Sequence, residues 1–465
     1  MATRKKTLRV RMYRVGFGDF FLLTVPSPDG PQHILIDCGV TNGTTGKGDI
    51  HTIKSAVAHM ANETKSRLAL IIVTHRHADH IIGFSRCEEV FKEFKVDAIW
   101  MPHWETEYVA EVVNFQADLT ALALDVQQQL AAAGPEDADA AAILGMLENA
   151  TGVSRKEGPG GGTNAKSLDL LKTKLGVKPK YLSRGDKPTL PAGLVAAGLE
   201  ATILGPPPAD ALDFMKLTDL KKGVGQYLGA AQGGGGTKGG LAPFASAWVA
   251  TPDDYPVSAF REWAPRSARR DSDQRSSERI EQVIAEAQPA ALFTAAKQLD
   301  NFLNNQSLVV LFTWNGKTLL FAGDAQAGNW EYWLYDLDTP SKTTLGVTPT
   351  PEGASILGKL DFYKVGHHGS TNATPIAAVA AMGTGFAAMC STQADSFGSV
   401  ENASEVPRGP LLDALGKKCA LVRSDQIKVE FDGLDVPPAA DTPAEVTKPR
   451  RGRYEVGSCF VDYVL

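Results

Sequence analysis

The 465-residue chain has only five cysteines, Cys38, Cys87, Cys390, Cys419 and Cys459. They are odd in number and nowhere spaced Cys-x-x-Cys, which argues against a disulfide framework and a thiolate zinc site and for a reducing compartment. No stretch reaches the roughly 18 consecutive apolar residues that a membrane-spanning helix needs. The basic start, Met1 to Lys6, leads into the alternating Leu8-Arg9-Val10-Arg11-Met12-Tyr13 and not into the apolar core of a signal peptide. A cytoplasmic protein without a membrane partner is expected. A cationic excess is lacking too: 47 Lys and Arg against 53 Asp and Glu give a formal net charge of -6. That argues against gripping nucleic acid by bulk electrostatics, although a local basic patch remains open.

What is present is globular: 43% hydrophobic and 22% charged residues, with 45 glycines that imply long loops. Leu8 to Val15, Phe20 to Val25 and Gln32 to Ile36 predict an opening β-meander, broken by Gly16-Phe17-Gly18-Asp19 and by a Pro/Gly/Asp turn. Leu68 to Val73 is a wholly apolar run of strand length and stops at Thr74-His75-Arg76-His77-Ala78-Asp79-His80. Ser85 to Lys95 then reads as an amphipathic helix and Val96 to Met101 as the next strand, a βαβ step. A helical insertion over about 105–180, with a flexible break at Gly158 to Gly162, precedes a strand at Leu199 to Leu204. A loop-rich insertion follows over about 209–300, holding Gly233 to Gly236 and the charge-dense Arg266 to Arg279. Ser307 to Thr313 and Lys317 to Phe321 predict a hairpin across Trp314-Asn315-Gly316 that delivers Gly323-Asp324 to a strand end. Leu360 to Val365, Phe386 to Cys390 and Cys419 to Val422 are further strands, with a helix at Arg408 to Leu415. One α/β domain is thus expected over 1–436, and 437–465 is read as a linker with a final strand at Tyr454 to Val464.

Three of the nine histidines lie in the 75–80 segment and two more are His367-His368. Catalytic divalent ions take imidazole and carboxylate ligands and keep a position open for water. At a strand end, His75 and His77 can point the same way, while Asp79 and His80 face a second position. A carboxylate fixes the spacing of two ions, and Asp324 is the candidate bridge.

The segment from Thr74 to His80 resembles the HxHxDH signature of the metallo-β-lactamase superfamily. More narrowly, Val15-Gly16-Phe17-Gly18-Asp19, Ile36-Asp37, the Asn304 to Ser307 step, Phe321-Ala322-Gly323-Asp324 and Lys364-Val365-Gly366-His367-His368-Gly369-Ser370 resemble the hydrolase domain of ComEC-type competence proteins. The resemblance implies an α/β fold, a four-layer αβ/βα sandwich, with the metal site at one edge of two facing sheets. It implies zinc, one or two ions, with manganese as the alternative. It also implies that Asp37 orients a ligand histidine by hydrogen bonding; the alternative is a turn cap before Gly39.

Most superfamily members supply a further histidine before the bridging aspartate. His103 lies too early to match, and Asn304 stands in that place with an amide oxygen, a weaker ligand. The expected metal ligands are therefore His75, His77, Asp79, His80, Asp324 and His367, with Asn304 as a weak one and His368 as an acid facing the substrate. His103, Ser370, Thr371 and Ser391 are candidate substrate contacts or ordinary loop groups. Arg408, where the competence-type domain usually has a His-Pro, is either a phosphate contact or a surface arginine at a helix start.

The expected activity is hydrolysis of a phosphoester by metal-activated water, in a nuclease or cyclic-nucleotide phosphodiesterase, with Asp79 and His368 in the chemistry. Two alternatives stand beside it: a lactone, thioester or amide hydrolase on the same site, which a pocket lined by Trp104 would favour, and a non-catalytic scaffold. The insertions are candidate surfaces for a protein partner.

Overall fold

The computed structural model describes residues 7–41, 44, 52–117, 147, 149–150, 163–215, 299–335, 348–398, 400, 404–426 and 448–465. Most of the two expected insertions, including Gly158 to Gly162, Gly233 to Gly236 and Arg266 to Arg279, lies outside them, as does the 437–447 part of the linker. The strands are β1 (Arg9–Tyr13), β2 (Phe20–Val25), β3 (Gln32–Cys38), β4 (Arg67–Leu68), β5 (Leu70–Ile72), β6 (Lys95–Val96), β7 (Ile99–Pro102), β8 (Lys180–Leu182), β9 (Leu199–Gly205), β10 (Val309–Trp314), β11 (Lys317–Phe321), β12 (Phe362–Lys364), β13 (Phe386–Cys390), β14 (Cys419–Arg423), β15 (Arg453–Val456) and β16 (Phe460–Val464). Eight of them form a mixed sheet in the order β15-β16-β1-β2-β3-β5-β7-β8, and six form a second in the order β14-β13-β12-β11-β10-β9. The fold is α/β.

Alternation along β1 to β3 sends Val10, Met12, Phe21, Leu23, Ile34 and Ile36 to one face, where they meet Val310, Phe312, Leu319, Phe321, Phe362 and Met389 of the other sheet. The opposite face, with Leu22, Leu35 and Ile71, packs against Val57 and Met60 of the helix Ile53–Thr64 and Ile81 and Phe84 of the helix Ala78–Arg86. The second sheet covers its other face in the same way, Leu320, Tyr363 and Ala388 meeting Trp330, Leu357, Val379 and Leu411 from four helices. Each fully buried Leu, Ile or Phe contributes about 1.5–3 kcal/mol relative to exposure, so these clusters dominate the stability.

The hairpin between β10 and β11 has a two-residue turn, with Asn315 at φ 49° and Gly316 at φ 69°, the pair of positive angles a type I′ turn requires. The expected helix over 85–95 begins earlier: Ala78–Arg86 is helical, Cys87 breaks it and Glu88–Lys92 forms a short second helix. The chain's end returns to a sheet, but as two strands in place of the single one expected: β15 and β16 form a hairpin, and β16 pairs along the full length of β1 inside the eight-stranded sheet. Arg11 of β1 donates two 2.7 Å hydrogen bonds to Asp462 of β16 in that register, and its guanidinium lies 3.4 Å over the Phe460 ring. All five cysteines are buried and unbonded. Among the described residues no helix is long and apolar enough to cross a membrane.

Candidate metal centre

The carboxyl ends of the parallel strands β5, β12 and β13 lie at the same edge of their sheets as the end of β11, and the polar segments gather there. Leu308 donates to the Thr74 carbonyl at 2.9 Å, tying the two sheets together at this point. Beyond Thr74, His75 and His77 occupy the loop, and Asp79 and His80 sit in the first turn of the Ala78–Arg86 helix. The helix thus starts inside the histidine segment, and its first turn brings His80 back against His75, their ring centroids 4.1 Å apart. Asp324 follows β11 after Gly323, whose φ of 54° suits glycine.

Asp79, His80, Asp324 and His368 each offer one donor atom, all within 4.8 Å of one another, and all four are buried. Asp37 Oδ2 and His80 Nδ1 are 2.8 Å apart, and Thr74 donates to the same carboxylate through its amide, at 2.8 Å, and its hydroxyl, at 2.7 Å. His368 Nδ1 lies 2.8 Å from the Ser391 carbonyl. A carbonyl only accepts, and a carboxylate with its proton gone does the same, so both Nδ1 atoms carry hydrogen. The Nε2 atoms then face carboxylates: His80 Nε2 is 3.1 Å from Asp324 Oδ2, and His368 Nε2 is 3.1 Å from Asp79 Oδ2 and 3.4 Å from Asp324 Oδ2.

Two bare lone pairs aimed at carboxylates repel, so a cation must lie between them, either protons on the imidazoles or an ion. Burial alone lowers the pKa of His368, but Asp324 and Asp19 reverse this and push it up to about 10. His80 is raised well above its ordinary value by Asp324, Asp37 and Asp79 against the same burial. In return, and against burial, His80 and His368 hold Asp79 and Asp324 below the usual carboxylate range.

His75 and His77 behave oppositely. Burial lowers the pKa of both, and His80 lowers that of His75 further, so both are neutral imidazoles, the form that binds metal. His75 Nδ1 is 3.1 Å from Thr74 Oγ1, whose own hydrogen goes to Asp37, so this nitrogen is the donor and Nε2 holds the lone pair. His75 Nε2, His77 Nε2, Asp79 Oδ1, His80 Nε2, Asn304 Oδ1 and Asp324 Oδ2 are all buried without a hydrogen-bond partner. Leaving a buried polar atom unpaired costs about 1–3 kcal/mol, so six in one place mark a site arranged for something that satisfies them together. Their chemistry, imidazole nitrogens and carboxylate or amide oxygens, fits a divalent metal.

Of the two consecutive histidines, it is His368 and not His367 that lies among the carboxylates. His367, His368 and Gly369 run through three successive positive φ angles, 41°, 50° and 81°, and this left-handed turn drives His368 inward and leaves His367 at the edge. The His367 side chain is 19% exposed and its Nε2 stands 4.0 Å from Asp324 Oδ2, whereas His368 is sealed among the carboxylates. His367 Nδ1 is held by Ser370 Oγ at 2.7 Å and Asn372 Oδ1 at 2.9 Å, and burial keeps its pKa low.

Ser370 therefore orients His367. Ser391 has its hydroxyl occupied by the Gly18 carbonyl, at 2.5 Å, and acts on the cluster through its own carbonyl. Arg408 is not a surface residue: it is buried at the start of the helix Gly409–Gly416, with its guanidinium on Glu405. His103 is half-buried in the turn after β7, apart from the cluster. Trp104 is buried too, its Nε1 donating to the Pro207 carbonyl at 2.9 Å.

Asp37 reaches Thr74 and His80 because β3 bulges there. Phe20 pairs with Cys38 and Phe21 with Ile36, so Asp37 is the extra residue, with a φ of 56°. Several contributors escape a reading of single motifs. Lys364 is fully buried and pairs with Asp19 and Asp324. A lysine within the short apolar stretch 360–365 was the available signal, since a buried lysine requires a carboxylate partner. Ser307 accepts from the Asp324 amide at 3.0 Å and lies 3.3 Å from His75 Nδ1, joining the two ends of the site.

No protein-family model matches this chain, and no curated protein does.

Proposed function

We propose that the protein is a metal-dependent hydrolase of the metallo-β-lactamase fold, similar to the hydrolase domain of ComEC-type proteins, and that its substrate is a phosphoester. Support for the fold comes from the sequence of layers: helices, the eight-stranded sheet, the six-stranded sheet and helices again, with the buried cluster at one edge of the facing sheets. The observation that carries the functional reading is the convergence of unpartnered Nε2 and carboxylate oxygen atoms from His75, His77, Asp79, His80 and Asp324. In this reading Asp79, His80, Asp324 and His368 would hold one zinc or manganese ion, and His75 and His77 would contribute to a second position.

A bound divalent ion supplies an acidified water as nucleophile and offsets charge on the phosphoryl oxygens. The protein's own part is orientation and charge. Asp37 and the Ser391 carbonyl fix the imidazole tautomers so that Nε2 faces inward. Asp19, Asp37, Asp79 and Asp324 against Lys364 leave a formal excess of three negative charges when the histidines are neutral, a field that attracts dications. His367, neutral and at the edge, is the group able to meet a substrate oxygen. Trp104 is enclosed by Val112 and Met215, which removes the feature that would have favoured a small acyl substrate.

The test is elemental mass spectrometry on the purified protein and its Asp324→Ala variant, followed by assay of the metal-loaded protein on single-stranded DNA, RNA, cyclic nucleotides and a simple phosphodiester. One or two equivalents of metal, lost in the variant, with cleavage of at least one of these substrates, is the expected result. Metal without phosphoester cleavage would overturn the substrate class; no metal even after reconstitution would overturn the reading as a whole.

A further inference from the structure

The position served by His75 and His77 has two imidazole donors, and a catalytic site commonly has three protein ligands. Asn304, expected to be the weak third, keeps its Oδ1 buried and unpartnered while Nδ2 donates to Asp300 Oδ2 at 3.0 Å and stands 3.4 Å from His367 Nε2. Asp300 lies one helical turn before Asn304, within the helical residues 299–305, so the two side chains share a face. With one carboxylate oxygen held by Asn304, the other, Oδ1, is 3.8 Å from the unpartnered Nε2 of His77. Two ligand atoms about 2.1 Å from one ion stand roughly 3.4 Å apart at a tetrahedral angle, so this spacing needs a shift of only a few tenths of an ångström.

Resting on the reading of the site as a metal centre, we infer that Asp300 is the third ligand of the position served by His75 and His77, and that Asn304 positions it. The position is then built from two imidazoles and a carboxylate. Asp300 takes the place of the histidine that the sequence lacks, and its negative charge makes it a far better ligand than a neutral amide. Its neighbours are consistent: Asn304 and His77 are buried, the Asp300 side chain is 19% exposed, and Asn304 Nδ2 lies within reach of both Asp300 and His367.

Metal stoichiometry and affinity test this with the ion as the only probe. Parent, Asp300→Ala, Asp300→His, Asn304→Ala and Asp324→Ala proteins are stripped with chelator, shown by thermal unfolding to be folded, and titrated with zinc, manganese and cobalt. The expected result is that Asp300→Ala loses one equivalent relative to the parent and the corresponding part of the cobalt visible spectrum, and that Asp300→His restores it. Asn304→Ala should keep the equivalent but bind it about 10–100-fold more weakly, as loss of an orienting group does. Asp300→Ala retaining the parent's stoichiometry and affinity would overturn the assignment while leaving the centre intact, and a parent that takes up no metal would overturn both. An Asn304→Ala protein that loses the ion outright while Asp300→Ala retains it would transfer the ligand role to Asn304.

Discussion

Replacing Asp37 by asparagine changes one atom and reverses the direction of one hydrogen bond. The residue sits in a bulge at φ 56°, a conformation that Asp and Asn tolerate and alanine does not, so the amide isolates the loss of the carboxylate from backbone strain. Its carbonyl oxygen can still accept from the Thr74 amide. The other atom is now an NH2 group aimed at the Thr74 hydroxyl and at His80 Nδ1. Thr74 can rotate its hydroxyl; His80 can satisfy the new donor only by moving its proton from Nδ1 to Nε2. In that tautomer Nε2 has no lone pair for a metal. A hydrogen bond to a charged group contributes about 1.5–3 kcal/mol, and loss of a ligand's orienting partner costs roughly 10–100-fold in metal affinity. These agree, since tenfold is about 1.4 kcal/mol. Competition with a chromophoric chelator measures the affinity, and thermal unfolding of the metal-free protein checks that the variant is folded. A variant that binds zinc within twofold of the parent would refute both the tautomer argument and the role given to the bulge.

Gly39→Ala should disable the centre without touching a ligand: its Cβ would lie 2.1 Å from the Asp79 carbonyl carbon and 2.2 Å from the His80 nitrogen, both backbone atoms that have nowhere to go. Metal content should fall at least tenfold or the protein should lose more than about 2 kcal/mol; normal values for both would show that the approach is slack. Asp462→Ala leaves the buried Arg11 guanidinium with Glu63 alone as an acidic partner, at 3.7 Å, and should cost about 3 kcal/mol in urea unfolding, whereas Arg11→Met with Asp462→Leu should recover most of it. An equal loss in the double variant would show that packing, not charge, holds β1 to β16. His33 is buried with Thr24 across the β2 and β3 pair, and burial, then Arg9, lowers its pKa to about 4. A group that is neutral when folded gives stability fully present above the unfolded pKa, about 6.5, and lost as pH falls through that value toward the folded one. His33→Gln should therefore flatten the unfolding free energy against pH between about 6.5 and 4, where the parent loses about 3 kcal/mol; parallel curves would contradict it.

Legibility in the sequence followed the range over which each feature is encoded. The segment from His75 to His80 was readable because its donors lie within one turn of chain, and the Asn315-Gly316 hairpin because two residues decide it. The choice between His367 and His368 was not, since alternation along a strand carries no information once three residues take positive φ. The split of Tyr454 to Val464 into two strands was signalled by Gly457-Ser458, which the reading of a single strand passed over, whereas the pairing of β16 with the distant β1 is not encoded locally. Asp300 and Lys364 belong to the site only through contacts with residues 223 and 40 positions away, as the separations of His77 from Asp300 and of Asp324 from Lys364 require.

Those distant contacts also bear on why the centre and the fold stand together. Ser307 joins His75 to the Asp324 amide, Thr74 joins β5 to the start of β10, and Lys364 joins β12 to Asp19 in the turn between β1 and β2. The donors thus come from both sheets, and their relative spacing is set by how closely the sheets pack, through Phe21, Phe321 and Phe362. Binding an ion to a set drawn from both sheets stabilises their association, because the unfolded chain offers no preformed site. On the proposed reading, stability and metal affinity are two readouts of one arrangement, and a substitution that loosens the sheet packing should weaken metal binding without altering any ligand.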